Sequence, residues 1–106
     1  MDAFNGLDWD AGNLAKCQKH GVSTAEIEEL FSGQPYFVPD ERHSAIEPRM
    51  LAIGLTASNR ALFVVFTVRE HDGRRLARPV SARYMHRKEV ERYDKFRRSE
   101  GPKNDY

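Results

Sequence analysis

Arg83 stands near the end of the stretch VSARYMHR, Val80 to Arg87, where a strand-like run passes into a helix-like one. A guanidinium at that place is either a solvated strand end or a charge kept there to hold a phosphate. Its fork suits the second role. Two parallel N–H bonds grip a phosphate and stabilise a pentavalent phosphorane better than a ground-state diester. Other side chains of similar chemistry lie near predicted element ends. Lys16, Lys19 and His20 close a first helix, Arg69 ends a central strand, and Arg78 shares the last strand with Arg83. Histidine is the one side chain that titrates near neutrality, so His20 or His43 has the chemistry to take or give a proton. Each histidine has a plain alternative as a cap or turn residue, and Arg83 as an ordinary strand-end arginine.

Other chemistries find little support. Cys17 and His20 sit three apart on one helical face, but one cysteine with scattered histidines is a poor zinc ligand set. There is no glycine-rich phosphate loop, no G-x-S-x-G elbow and no paired-carboxylate motif. Neither a metal nor a cofactor is expected.

The elements that must position these residues fit one domain, expected over residues 1–98 with a flexible tail at 99–106. The 106 residues, 40% hydrophobic and 31% charged, match a globular chain with a single modest core. No apolar run approaches the roughly 20 residues that span a bilayer. The start, MDAFNGLDWD, lacks a secretory signature, and a lone cysteine suits a reducing cytoplasm, the expected location. Charge is unevenly spread. Residues 1–48 hold three basic and nine acidic side chains, whereas residues 49–106 hold fourteen basic and seven acidic ones. That asymmetry suggests a local polyanion site, set against the simpler reading of a solvated basic face on a C-terminal helix.

Phe4, Leu7 and Trp9 mark a short first strand in FNGLDWD. Asp10 caps a helix through about Lys19, and Gly21 suits the left-handed position after it. In VSTAEIEELFSG, Ser23 and Glu26 form a capping box, Val22 and Ile27 a hydrophobic staple, and Gly33 the stop. Ile27, Leu30 and Phe31 make the buried stripe of that helix. YFVPD is a short strand. RMLAIGLTA follows, with Leu51, Ile53 and Leu55 expected on one buried face. ALFVVFTVRE, apolar on both faces, is a central strand. ASNR and HDGR are hairpin turns. RLARPVSARYM is the last strand, with Pro79 implying an edge or a bulge. There Val80, Ala82 and Tyr84 share one face, Ser81 and Arg83 the other. A basic helix, HRKEVERYDKFRR, closes the chain with a thin apolar stripe of Val90, Tyr93 and Phe96. The expected class is α+β: a mainly antiparallel sheet of four to five strands packed on two N-terminal helices, with a C-terminal helix. Arg83 then projects from the open sheet face beside small side chains.

The pattern WDxxNxxKxxxHGxSxxEIExxF, carried by Trp9, Asp10, Asn13, Lys16, His20, Gly21, Ser23, Glu26, Ile27, Glu28 and Phe31, resembles the BrnT family of bacterial toxins. RMLAIGLT and ALFVVFTVRE resemble that family's middle strands, and RPVSARYMHRKEVERY its closing strand and helix. The resemblance spans roughly residues 4–96. It implies a RelE-like fold and a metal-independent RNA endonuclease that halts translation and is neutralised by a BrnA-type antitoxin. In such nucleases the ribose 2′-hydroxyl attacks the adjacent phosphate, so a proton acceptor, a phosphate clamp and a leaving-group acid suffice. On that reading Arg83 is the clamp, Arg69 a supporting clamp, and His20 with Lys19 the base or orienting cations. Arg78, Arg87 and Lys16 contact RNA, and Tyr84 is core rather than a base-stacking platform. The assembly is left open between a dimer and a hetero-tetramer with the antitoxin, with no membrane partner.

The rival is a non-enzymatic module whose basic C-terminal helix binds nucleic acid or an acidic protein. Only Tyr84, Tyr93 and Phe96 interleave the basic segment, too few aromatics for a stacking RNA platform. That favours a cleaving clamp over a sequence-reading binder.

Overall fold

Two helices begin where side chains satisfy amides that no helical carbonyl reaches. The computed structural model describes residues 3–40 and 47–103. In it, α1 (Ala11–Cys17) starts at Asp10, whose carboxylate accepts from the Asn13 amide while the Asn13 side chain accepts from the Asp10 amide. Helix α2 (Thr24–Ser32) starts with the same reciprocal arrangement between Ser23 and Glu26, as the spacing predicts. Val22 and Ile27, the staple pair, are both buried. Helix α1 ends at Cys17 with Gln18 as its C-cap, short of the expected Lys19, and Gly21, at φ 85°, supplies the left-handed residue in the turn that follows.

The described strands are β1 (Gly6–Leu7), β2 (Tyr36–Pro39), β3 (Arg49–Leu55), β4 (Ala61–His71) and β5 (Arg74–Tyr84). They form one sheet in the order β1-β5-β4-β3-β2, with β4 at its centre. All pairings are antiparallel except β1 with β5, so the sheet is mixed. The β3–β4 turn places Asn59 at φ 64°, and the β4–β5 turn places Asp72 and Gly73 at φ 52° and 75°. Both positive angles in the Asp72-Gly73 pair match the primed turn that a right-twisted hairpin needs.

Helices α1 and α2 cover one face. Cys17, Ile27, Leu30 and Phe31 meet Ala52, Leu62, Val64 and Phe66 there, and Phe4 sits edge-on to Phe31, Phe37 and Phe66. This corrects the face expected for β3. The small residues Ala52 and Gly54, not Leu51, Ile53 and Leu55, point into that core. The reason is close approach: a Cβ on Gly54 would lie 2.8 Å from the Leu30 side chain. Leu51 and Ile53 face the opposite side, which is partly covered as well.

The last helix, α3 (Arg87–Lys103), lies on that second side, where Tyr93 and Phe96 pack edge-on against Tyr36 of β2 at 5.9 and 4.7 Å. The face expected to be open is therefore crossed by α3. The helix also runs five residues past Arg98, where the tail was expected to begin. In β5 the register jumps from Val65↔Ser81 to Phe66↔Pro79, leaving Val80 as a bulge residue. Pro79, Ala82 and Tyr84 consequently share the α1–α2 face, in place of the expected Val80, Ala82 and Tyr84. Asn13 pins the bulge by donating to the Pro79 carbonyl at 2.8 Å. Among the described residues, no helix is long and apolar enough to cross a membrane.

Candidate active site

Arg83 pairs with Phe63 of β4 in the sheet register, and both side chains emerge on the α3 side. The guanidinium carbon lies 4.7 Å from the centroid of the Phe63 ring. Its Nη1 and Nη2 donate to Oε1 and Oε2 of Glu89, each at 2.8 Å, and Nη1 also donates to the Tyr84 carbonyl at 3.3 Å. Glu89 lies in the first turn of α3 and accepts the His86 amide as well, at 2.8 Å. The Arg83 hydrogen bonds outweigh burial and, with the His86 amide, hold the Glu89 carboxyl down to about 2. Glu89 in turn raises the Arg83 pKa. Glu89 was missed in the sequence, although its position three residues after His86 has the spacing of a helix-start acid.

His20 reaches the same place from the other side of the sheet edge. Helix α1 ends at Cys17, and the reversal through Gly21 brings the α1–α2 turn against the end of β5. There the Tyr84 hydroxyl lies 3.3 Å from the Gly21 carbonyl. The exposed His20 then lines, with Ser81, Arg83, Phe63 and Val65, a cleft of about 280 Å³. Two of the candidates thus converge on one space. Lys19, the next residue, and Lys16, near the end of α1, are both exposed.

The remaining candidates do not join them. Arg69 follows Phe63 by six residues on β4, about 20 Å at the rise of a strand, and it pairs with Glu47 at 3.2 Å. Arg69 and Arg83 therefore cannot form two forks on one phosphate, as the expected clamp requires. Arg78 is committed to the start of α1: its Nη2 lies 2.8 Å from Asp10 and its Nη1 3.8 Å from Asp8. It serves to tie β5 to the α1 cap. Arg87 is 94% exposed, and its Nε is 3.9 Å from Glu91. Tyr84 donates to Glu26 on the α1–α2 side, where Arg60 lies over its ring. His43 lies outside the described residues.

Cys17 is fully buried, and burial pushes its thiol up to about 11, whereas His20 is exposed. The two share no ligand site, and no three His, Cys, Asp or Glu side chains converge among the described residues. A second, more apolar hollow of about 430 Å³ lies between α3 and the sheet, bordered by Tyr36, Ile53, Phe63, Glu89 and Phe96.

An imidazole and a guanidinium across one small cleft supply proton transfer and phosphate binding, the two elements of phosphodiester cleavage. Residues 9–89 match the family model for the ribonuclease toxin BrnT of type II toxin–antitoxin systems. No curated protein matches the chain. The matched span covers most of the sequence and contains His20, Arg83 and Glu89. The chain belongs to the BrnT family, the ribonuclease toxins of type II toxin–antitoxin systems.

Proposed function

We propose that this toxin cleaves RNA without a metal ion at the cleft between His20 and Arg83. The convergence of those two side chains on one cleft carries the reading. The ribose 2′-oxygen attacks the adjacent phosphorus, and its proton passes to the His20 imidazole. The bond to the 5′-oxygen breaks, that oxygen takes a proton from solvent water, and the products are a 2′,3′-cyclic phosphate and a 5′-hydroxyl end. Arg83 holds the phosphate oxygens as charge builds on them. Lys19, Lys16 and Arg87, all exposed, draw the RNA backbone toward the cleft.

The family's place in type II systems supplies the biological frame: an antitoxin partner and an RNA target. Within it we read the protein as a cytoplasmic inhibitor of translation with a RelE-like fold, held silent by a BrnA-type antitoxin. The mixed sheet with helices on both faces supports that fold reading.

Induced expression in bacteria tests the site. The wild-type chain should arrest growth, and Arg83→Ala or His20→Ala should relieve the arrest at matched soluble expression. Cleavage in vitro should survive EDTA and leave cyclic or 3′-phosphate ends. Equal toxicity of wild type and Arg83→Ala would remove Arg83 from the site, and loss of cleavage on chelation, restored by a divalent ion, would overturn the metal-free mechanism.

A further inference from the structure

Arg83 carries five N–H donors, and its protein partners take only one edge of the fork. Nη1 spends its two hydrogens on Glu89 and the Tyr84 carbonyl, and Nη2 spends one on Glu89. The Nε–H and the second Nη2–H form the other edge. Neither has a hydrogen-bond partner among the described residues. That free edge is itself a bidentate phosphate fork.

The surroundings determine which way each edge faces. Glu89 borders the apolar hollow beneath α3, Arg83 borders the cleft with His20, and Phe63 forms a wall between the two. Glu89 therefore grips the guanidinium from the hollow side while Phe63 supports its face. We infer that Glu89 is the positioning residue of this site: it holds Arg83 by the Nη1–Nη2 edge so that the Nε–Nη2 edge meets the scissile phosphate. This rests on the cleft being where RNA is cut. Glu89 is not the proton acceptor, because a carboxylate held at about 2 is too weak a base near neutrality. Nor does a phosphate have to displace it, since no hydrogen bond from a described residue takes the Nε–Nη2 edge.

Two measurements test the assignment on the full-length chain. In the first, messenger RNA in a bacterial cell-free translation reaction is cut under excess toxin, giving a maximal rate and a half-saturating concentration. Glu89→Gln keeps an oxygen for the His86 amide, so the start of α3 is retained, but it loses the symmetric grip on Arg83. It should lower the maximal rate at least about tenfold while the half-saturating concentration changes little, since a misaligned clamp still attracts the backbone. In the Arg83→Ala background the same change should have no further effect. A rise in rate for Glu89→Gln would show instead a latch competing with the phosphate, and a full additional loss in the Arg83→Ala background would show a role independent of Arg83. Either result overturns the inference. If Arg83→Ala cleaves like wild type, the reading of the cleft fails, not the reading of Glu89 alone.

The second measurement needs no cleavage. The Arg83 Nε–H resonance, assigned by its loss in Arg83→Lys, is followed by NMR during titration with inorganic phosphate. It should shift in the wild-type chain and broaden or shift less in Glu89→Gln. An Nε–H that does not respond to phosphate, or responds equally in both proteins, would rule out the positioning role.

Discussion

Tyr84 donates its phenolic hydrogen to Glu26, 2.8 Å away, and so fastens the residue after Arg83 to the first turn of α2. The same hydroxyl lies 3.3 Å from the Gly21 carbonyl, next to His20. One side chain thus links the strand end that carries Arg83 to the turn that carries His20. Tyr84→Phe should lower stability by about 1 kcal/mol, the net worth of a hydrogen bond to a partly buried partner. It should also slow RNA cleavage more than it weakens RNA binding, because His20 loses its anchor. Denaturant midpoints and cleavage rates measured on the same preparation check both effects.

Glu89 makes stability depend on acidity. Its carboxyl titrates at about 2 in the folded chain against an ordinary value of 4.5. A lowered folded pKa gives stability that is fully present above the unfolded value and lost as pH falls toward the folded one. The wild-type chain should therefore weaken as pH falls from 4.5 to about 2. Glu89→Gln should show a shallower fall over the same window. Urea midpoints measured across that range decide it, and identical slopes would mean the half-exposed pair adds no stability.

Gly54 has no room for a methyl group. A Cβ there would stand 2.8 Å from Leu30 Cδ1 and 3.3 Å from the Pro35 backbone. Gly54→Ala should destabilise the chain by about 1–3 kcal/mol, the usual cost of overpacking a core. Thermal unfolding of the variant beside wild type measures it.

Cys17 should be chemically silent. It is fully buried, and burial holds its thiol at about 11, so almost none is thiolate near neutrality. A thiol reagent should leave the native chain unmodified and label it rapidly in denaturant. Fast labelling of the native chain would show that α1 opens readily.

Arg69 and Arg83 should differ sharply. Arg69 sits about 20 Å along β4 from Phe63, the register partner of Arg83, and is paired with Glu47. Arg69→Ala should cost far less cleavage activity than Arg83→Ala in a side-by-side rate measurement. Comparable losses would extend the RNA-contacting surface along the whole strand.

The sequence alone determined the local elements, because caps and turns depend on neighbours within a few residues. Ser23 with Glu26 started α2, Asp72-Gly73 turned the central hairpin, and the apolar run from Ala61 to Val68 marked the middle strand. It also singled out His20 and Arg83, whose chemistry is visible wherever they fall in the fold. Tertiary structure alone decided which residues meet. Alternation along β3 could not say which face α2 would cover, and the close approach of Leu30 gave that face to Ala52 and Gly54. The bulge at Val80 shifted part of β5 against its neighbour, so its face pattern no longer followed from simple alternation. Arg69 and Arg83 looked equivalent as strand-end cations until the register set them six residue steps apart along β4. Glu89 was one acid in a basic helix until α3 folded back over the sheet and put its carboxylate 2.8 Å from the Arg83 guanidinium. Such pairings depend on side chains that the chain brings together from separate elements, and no spacing in the sequence encodes that distance.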